Sequence, residues 1–374
     1  MSKITVKRKD VFKLCRSGFR APGCYVLIKQ GETINSQPFL DQILICNKPA
    51  SHAHVECIGQ IVSSEIFDSI DSGDIGIISH DGSIRIILSR LANHNTVLVT
   101  ERCDNLCLFC SQPPKIKDDS WLLTQAALAI AAFNSSSTIG ISGGEPLLYK
   151  EDFINFLDFL IEYAPMTQLH ILTNGKAFSD AVFAQRILAR SHKVAMCFGV
   201  PLYSSLANVH DELVGSKYAF KETVKGIINA GNLGLSIEFR IIPTLTNFKQ
   251  LPYMIEFVSR TFSNISQVSI MNLEAEGYAR KNWNNLYAPP FAYSKYLCDA
   301  IKIADRQSLN TVLFNYPLCH LPIELHCRSV QSISDWKNYY PEECNLCIKK
   351  EACGGYFKSS QGHFHQSPKR ICDE

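Results

Sequence analysis

Apolar positions are spaced in two different ways along the chain, and the change falls near residue 92. Before it, short β-rich runs (CYVLIKQG, ILICNKP and DIGIISHDGSIRIIL) are broken by turn residues, and His80-Asp81-Gly82 reads as a hairpin turn. From Asn95 onward, strand-like runs alternate with segments whose apolar residues recur at helical spacing. The strand candidates are Val97 to Thr100, Thr138 to Ser142, Leu169 to Thr173, Val194 to Val200, Leu235 to Ile242, Val268 to Leu273 and Thr311 to Asn315. Between them, helices are predicted over Leu122 to Phe133, Asp152 to Tyr163, Asp180 to Arg190, Phe220 to Ala230, Leu251 to Arg260 and Tyr293 to Arg306. Such alternation implies parallel strands joined by crossover helices, an α/β class chain with a partial (β/α)6 TIM-like barrel. Regular periodicity fades after Tyr316 into a cysteine-rich tail. The expected division is therefore a small β-rich domain over 1–92, the partial barrel over 93–308 and an extension over 309–374.

The 374 residues are enough for this plan. A net charge of +2 with 19% charged residues leaves no nucleic-acid footprint and no acidic tail, so partners must be read from sites. The first residues, MSKITVKRKD, lack an apolar signal core, and no apolar run reaches the ~18 residues of a membrane span; the expectation is a cytoplasmic protein. In a reducing compartment, fifteen cysteines point to metal ligands or catalytic thiols rather than disulfides.

Two groups of cysteines stand out. Cys103, Cys107 and Cys110 form C-x-x-x-C-x-x-C directly after the strand Val97 to Thr100, a spacing expected by chance about 0.02 times in a chain of this composition. Three thiolates suit three irons of a four-iron cluster, leaving the fourth iron for a small chelating molecule; the other reading is zinc with a ligand elsewhere. Cys344, Cys347 and Cys353 form C-x-x-C-x5-C in the tail, with Cys319 or Cys327 available as a fourth ligand, and these too suit an iron-sulfur cluster or zinc. Cys15, Cys24, Cys46, Cys57, Cys197, Cys298 and Cys372 are scattered and read as ordinary thiols. At the end of the second barrel strand, Gly143 and Gly144 permit close backbone approach, Glu145 is an anionic acceptor for an ammonium group and Pro146 presets a turn.

The cysteine triplet, the aromatic Phe109 before its last cysteine and Gly143-Gly144-Glu145-Pro146 together resemble the radical S-adenosylmethionine (SAM) superfamily over about residues 95 to 275. That resemblance implies a catalytic 4Fe-4S cluster on Cys103, Cys107 and Cys110 whose open iron chelates SAM. Reductive cleavage then yields methionine and a 5'-deoxyadenosyl radical that takes a hydrogen atom from the substrate. It also implies that Gly143 to Glu145 receive the methionine amino group and that Phe109 lies by the adenine. Asn174, Ser204 and Arg240 become candidate partners for the ribose and carboxylate.

A narrower resemblance runs from about Gly73 to Phe357. Pro201-Leu202-Tyr203-Ser204 with His210-Asp211, Ile270 to Gly277, Asn315 to Cys319 and Ser332 to Asn338 look like the smaller of two paired maturases of the His-Xaa-Ser peptide system. The tail resembles the SPASM/twitch auxiliary-cluster extensions, with Cys319 preferred as fourth ligand beside Cys344, Cys347 and Cys353. Phe357 stands where a further cysteine is usual, which implies one auxiliary 4Fe-4S cluster rather than two. The implied partners are a ribosomally made peptide with His-Xaa-Ser repeats, a second radical SAM maturase and an external electron donor, with no membrane or nucleic acid. Against this stand a radical enzyme acting on a small molecule or RNA, and a non-catalytic zinc-stabilised binding protein. His363 and His365 read as a solvated pair, and Asp335-Trp336-Lys337 as a docking surface or a shield for the tail cysteines.

Overall fold

The computed structural model describes residues 23–372 apart from residues 33, 35–36, 47–58, 80–82, 332–336, 363 and 365. Strands β1 (Gly23–Lys29), β2 (Gln42–Cys46), β3 (Gly59–Ile61), β4 (Ile75–Ile78) and β5 (Ile84–Leu88) form a mixed sheet in the order β3-β2-β1-β4-β5. A single turn of helix, α1 (Ser64–Asp68), follows β3 and is capped by Ser63. Alternation in β1 explains why this sheet is buried on both faces. Tyr25 and Leu27 pack with Ile43, Ile45, Ile84 and Ile86, while Val26 joins Ile75 and Leu88 in the main core. The expected hairpin is present as the antiparallel β4–β5 pair, with Ile78 opposite Ile84; its His80-Asp81-Gly82 turn lies outside the described residues.

The second sheet contains β6 (Asn95–Thr100), β7 (Thr138–Gly143), β8 (Gln168–Leu172), β9 (Met196–Pro201), β10 (Ser236–Ile241), β11 (Ile265–Met271), β12 (Thr311–Phe314) and β13 (Ser329–Val330). These eight strands lie side by side in chain order, every neighbour parallel. Crossovers are made by α2 (Trp121–Phe133), α3 (Lys150–Tyr163), α4 (Ala181–Ser191), α5 (Ala207–Val214), α6 (Ala219–Asn232), α7 (Leu251–Thr261), α8 (Gly277–Lys281), α9 (Trp283–Leu286) and α10 (Pro290–Arg306). All seven expected strands and all six expected helices form, within three residues at each end. The expected parallel α/β sheet and the small N-terminal β unit are both present; the parallel sheet has eight strands, the last two of which, β12 and β13, follow residue 308. Two-residue β13 carries no periodicity, and α5, α8 and α9 are too short for helical spacing to register. A small antiparallel pair, β14 (Asn338–Tyr339) with β15 (Tyr356–Phe357), braces the tail.

Each central strand divides its side chains by parity. In β10, Ile237, Phe239 and Ile241 are buried in the main core, whereas Ser236, Glu238 and Arg240 point to the opposite face. On that face, His170 of β8 reaches across β9 to Glu238, with Nε2 2.6 Å from Oε2. Gly199 of β9 makes the reach possible, because a Cβ there would stand 2.8 Å from Leu172 and 3.1 Å from the Glu238 carboxylate. Among the described residues, no helix is long and apolar enough to cross a membrane.

Candidate functional site

The cysteine loop leaves the C-terminal end of β6, where ligands of parallel α/β folds gather. Its entry is fixed by Asp119, a fully buried carboxylate that accepts from Thr100 Oγ1 at 3.0 Å and from the Glu101 amide. Further along, Leu106 and Leu108 donate their amides to Val214 and Leu213 of α5, both at 2.9 Å. The α8–α9 segment holds the other side: Tyr278 donates to the Cys110 carbonyl at 2.8 Å, and Asn282 Nδ2 to the Leu108 carbonyl at 2.7 Å. Gly277 is required for that contact, since a Cβ would meet the Cys110 and Ser111 carbonyls at 2.4 and 2.6 Å.

The three thiols of this loop are close enough to act on one another electrostatically. Burial pushes Cys103 and Cys107 up to about 12 and raises Cys110, with mutual repulsion adding to the first two. A nucleophilic cysteine needs the opposite, a depressed pKa beside a cation. Half-buried thiols carried on one short loop suit the ligation of a multi-iron cluster, which removes their protons outright. The Asn105 amide donates to Cys103 Sγ at 3.4 Å, the kind of N–H···S bond that tunes iron-sulfur sites.

Gly143 and Gly144 sit against this loop. A Cβ on Gly143 would lie 2.6 Å from the Thr100 carbonyl oxygen, and one on Gly144 would lie 2.1 Å from that of Arg102 and 3.0 Å from Cys103 Cβ. Gly144 and Glu145 donate their amides to the Thr100 and Arg102 carbonyls at 2.9 and 2.8 Å, zipping the end of β7 to the loop. The Glu145 side chain, read from sequence as an ammonium acceptor, is turned inward and only 2% exposed. It accepts from the Leu147 amide (2.9 Å), Thr173 Oγ1 (2.6 Å) and the Asn174 amide (2.6 Å). Burial raises its pKa to about 7 despite those three donors. Pro146 is buried in the turn that follows.

The other sequence candidates all face the same end of the sheet and have intramolecular partners. Phe109 is buried edge-on against Tyr203, with centroids 4.6 Å apart. Asn174 Nδ2 donates to Asp104 at 2.7 Å. Ser204 is fully buried between Gln250 Oε1 (2.5 Å) and the Leu206 amide (2.9 Å). Arg240 rests on Glu238 at 3.3 Å and on Met271 Sδ at 3.0 Å. Burial alone would raise the Glu238 carboxyl, but the Arg240 guanidinium and the His170 ring outweigh it and hold the group down at about 2.

Sequence reading passed over Lys176, His170, Glu238 and the role of His210. His210 stacks on Tyr203, its Nδ1 accepting the Tyr203 amide at 3.2 Å, and burial pushes its pKa down to about 4. A proton on Nδ1 would set two donors against each other. Because the folded pKa lies below the unfolded value of 6.5, the unfolded chain takes the proton first. The stability that His210 contributes is therefore present above about pH 6.5 and lost as pH falls toward 4, amounting to about 3 kcal/mol. Thermal unfolding of the cofactor-free protein should show this slope between pH 6.5 and 4. In His210→Gln the slope should flatten, and an unchanged slope would rule the assignment out.

In the tail, Cys319, Cys344, Cys347 and Cys353 line one small cavity with Tyr340 and Tyr356. Cys353 Sγ accepts the Leu318 and Gly355 amides at 3.3 and 3.4 Å. Burial raises Cys344 to about 11, and the three neighbouring thiols push the same way. Cys327 is exposed, with its sulfur 3.9 Å from the Glu324 carbonyl. Gly354 docks the tail on the sheet, since a Cβ would stand 2.8 and 2.9 Å from the Tyr316 and Val330 carbonyls. Lys337 pairs with Glu274 at 2.7 Å; Asp335, Trp336, His363 and His365 lie outside the described residues. Among the described residues, no three His, Cys, Asp or Glu side chains converge as for a single metal ion.

Residues 97–258 match the family model of the Radical SAM superfamily. Among curated relatives, GTP 3',8-cyclase of Sulfurimonas denitrificans is 24% identical over 195 residues, 49% of this chain and 57% of that protein. The same enzyme from Campylobacter jejuni subsp. jejuni is 27% identical over 202 residues, 50% and 59% of the two chains. The chain thus spans somewhat over half the length of the curated relatives it matches. Among solved structures, SuiB of Streptococcus suis bound to S-adenosylmethionine superposes with a TM-score of 0.44 at 16% identity, covering 58% of this chain and 50% of that one.

Proposed function

We propose that this chain, whose residues 97–258 match the Radical SAM superfamily model, is a radical S-adenosylmethionine enzyme that modifies a ribosomally made peptide bearing His-Xaa-Ser repeats. The observation that carries the radical reading is the packing of Gly143 and Gly144 on the loop of Cys103, Cys107 and Cys110, at the C-terminal end of β6. When bound there, a 4Fe-4S cluster and SAM supply the electron and the 5'-deoxyadenosyl group for hydrogen-atom abstraction. The protein's share is to place and to exclude water. Asp119, α5 and α8 fix the loop; Phe109 and Tyr203 form an apolar wall beside Cys107. Gly143, Gly144 and Glu145 present backbone to the methionine amino group. Arg240, Ser204 and Asn174 are assigned to the carboxylate and ribose, each exchanging an internal partner for the ligand.

The four tail thiols of Cys319, Cys344, Cys347 and Cys353 are assigned to an auxiliary 4Fe-4S cluster, supported by their shared cavity. An external electron donor and a second maturase complete the proposed system. Peptide specificity rests on the sequence resemblance, and the curated relatives favour a second reading, in which the substrate is a small molecule of the nucleotide type. The deciding assay is anaerobic incubation with SAM, reductant and either a repeat peptide or GTP, followed by mass analysis. Peptide mass change coupled to 5'-deoxyadenosine supports the peptide reading. Coupling to GTP alone overturns it in favour of the second.

A further inference from the structure

Directly after the Asn174-Gly175 turn, Lys176 is buried, with 8% of its residue surface exposed. Its ammonium meets three oxygens, all from the cysteine loop: Asp104 Oδ2 at 2.8 Å, Asn105 Oδ1 at 2.8 Å and the Asp104 carbonyl at 3.3 Å. Those two residues stand between Cys103 and Cys107. Asp104 has a second anchor in Asn174 Nδ2, so its carboxylate is held in one place. Burying an ammonium costs several kcal/mol unless it is paired, and the pairing here is spent entirely on the loop that carries the thiols.

We propose that Lys176 is a positioning residue that sets the reduction potential of the cluster on Cys103, Cys107 and Cys110, by neutralising Asp104 and fixing the loop between two ligands. The proposal rests on the radical SAM reading of these cysteines. One-electron reduction adds a negative charge to the cluster, and an unpaired Asp104 carboxylate beside it opposes that charge. The ammonium cancels the opposition. With Lys176→Met the carboxylate keeps only the neutral Asn174 donor and the potential falls; with Asp104→Asn the ammonium keeps only neutral acceptors and the potential rises. Lys176→Arg keeps the charge and lies near wild type. A role confined to loop rigidity would move both neutral variants in the same direction.

The test is a potentiometric titration of the full-length, anaerobically reconstituted protein, followed by the EPR signal of the reduced cluster, with iron counted per chain. Lys176→Met is expected to lower the reduced-to-oxidised ratio at fixed potential about tenfold, a 59 mV shift for one electron, and Asp104→Asn to raise it. Unchanged potentials, or shifts of the same sign, overturn the proposal. If Lys176→Met binds no iron, the sign of the Asp104→Asn shift decides, with Lys176→Arg as its reference. Absence of iron from the wild-type protein overturns instead the reading on which the proposal rests.

Discussion

Gly144→Ala should abolish cluster binding and SAM cleavage while leaving most of the fold intact. The added methyl would lie 2.1 Å from the Arg102 carbonyl oxygen and 3.0 Å from Cys103 Cβ. Its neighbours are backbone and a ligand's own Cβ, so no flexible side chain can swing aside. Instead the loop between β6 and Cys103 must move. A ligand displaced by about 1 Å loses its place in a cluster whose Fe–S geometry is tight, and a positioning error of that size costs about 100-fold in rate. The core of β6–β12 and its helices does not depend on this contact. Iron content and 5'-deoxyadenosine formation should therefore collapse together while thermal unfolding shifts much less. Normal iron loading in Gly144→Ala would show that the loop does not need the geometry described.

Glu145→Ala is expected to destabilise the fold itself. The carboxylate ties the end of β7 to the end of β8 through Thr173 Oγ1 and the Asn174 amide and closes its own turn through the Leu147 amide, in a site 2% exposed. Removing it strands two backbone donors, each at about 1–3 kcal/mol, and leaves a small cavity. The sum, about 3–5 kcal/mol, is near the upper end of single-residue effects. Chemical denaturation should show a lower midpoint in the cofactor-free protein, where SAM binding plays no part. If Glu145→Ala instead unfolds like wild type and weakens only SAM affinity, the carboxylate serves the ligand and not the fold.

The contrast between those two residues shows what could be read beforehand. Gly144 was legible as a close-approach glycine because the motif and the cysteines sit at adjacent strand ends in any chain-ordered parallel sheet. Glu145 was legible as a site residue but not as a brace, since its partners Thr173 and Asn174 are about 28 residues away and become neighbours only through β7–β8 pairing. Lys176 gave no signal at all: a lysine after Asn-Gly reads as a solvated turn. For Glu238 and Arg240 a signal existed, because charged residues alternating with Ile237, Phe239 and Ile241 must share the face away from the helices. Their partner His170 could not be chosen without the strand order. In the tail, spacing left Cys319 and Cys327 equivalent as companions of the cysteine group; the fold lines one cavity with Cys319 and leaves Cys327 exposed.

Most direct for the central claim is anaerobic iron and sulfide quantitation on wild type and on the Cys103→Ala/Cys107→Ala/Cys110→Ala variant, with 5'-deoxyadenosine measured in parallel. About eight irons per chain falling to about four, with loss of SAM cleavage, is the result expected for a catalytic cluster on these three thiols and an auxiliary one in the tail. Iron content and cleavage that survive the triple substitution, or a wild-type protein that binds zinc and no iron, would contradict it.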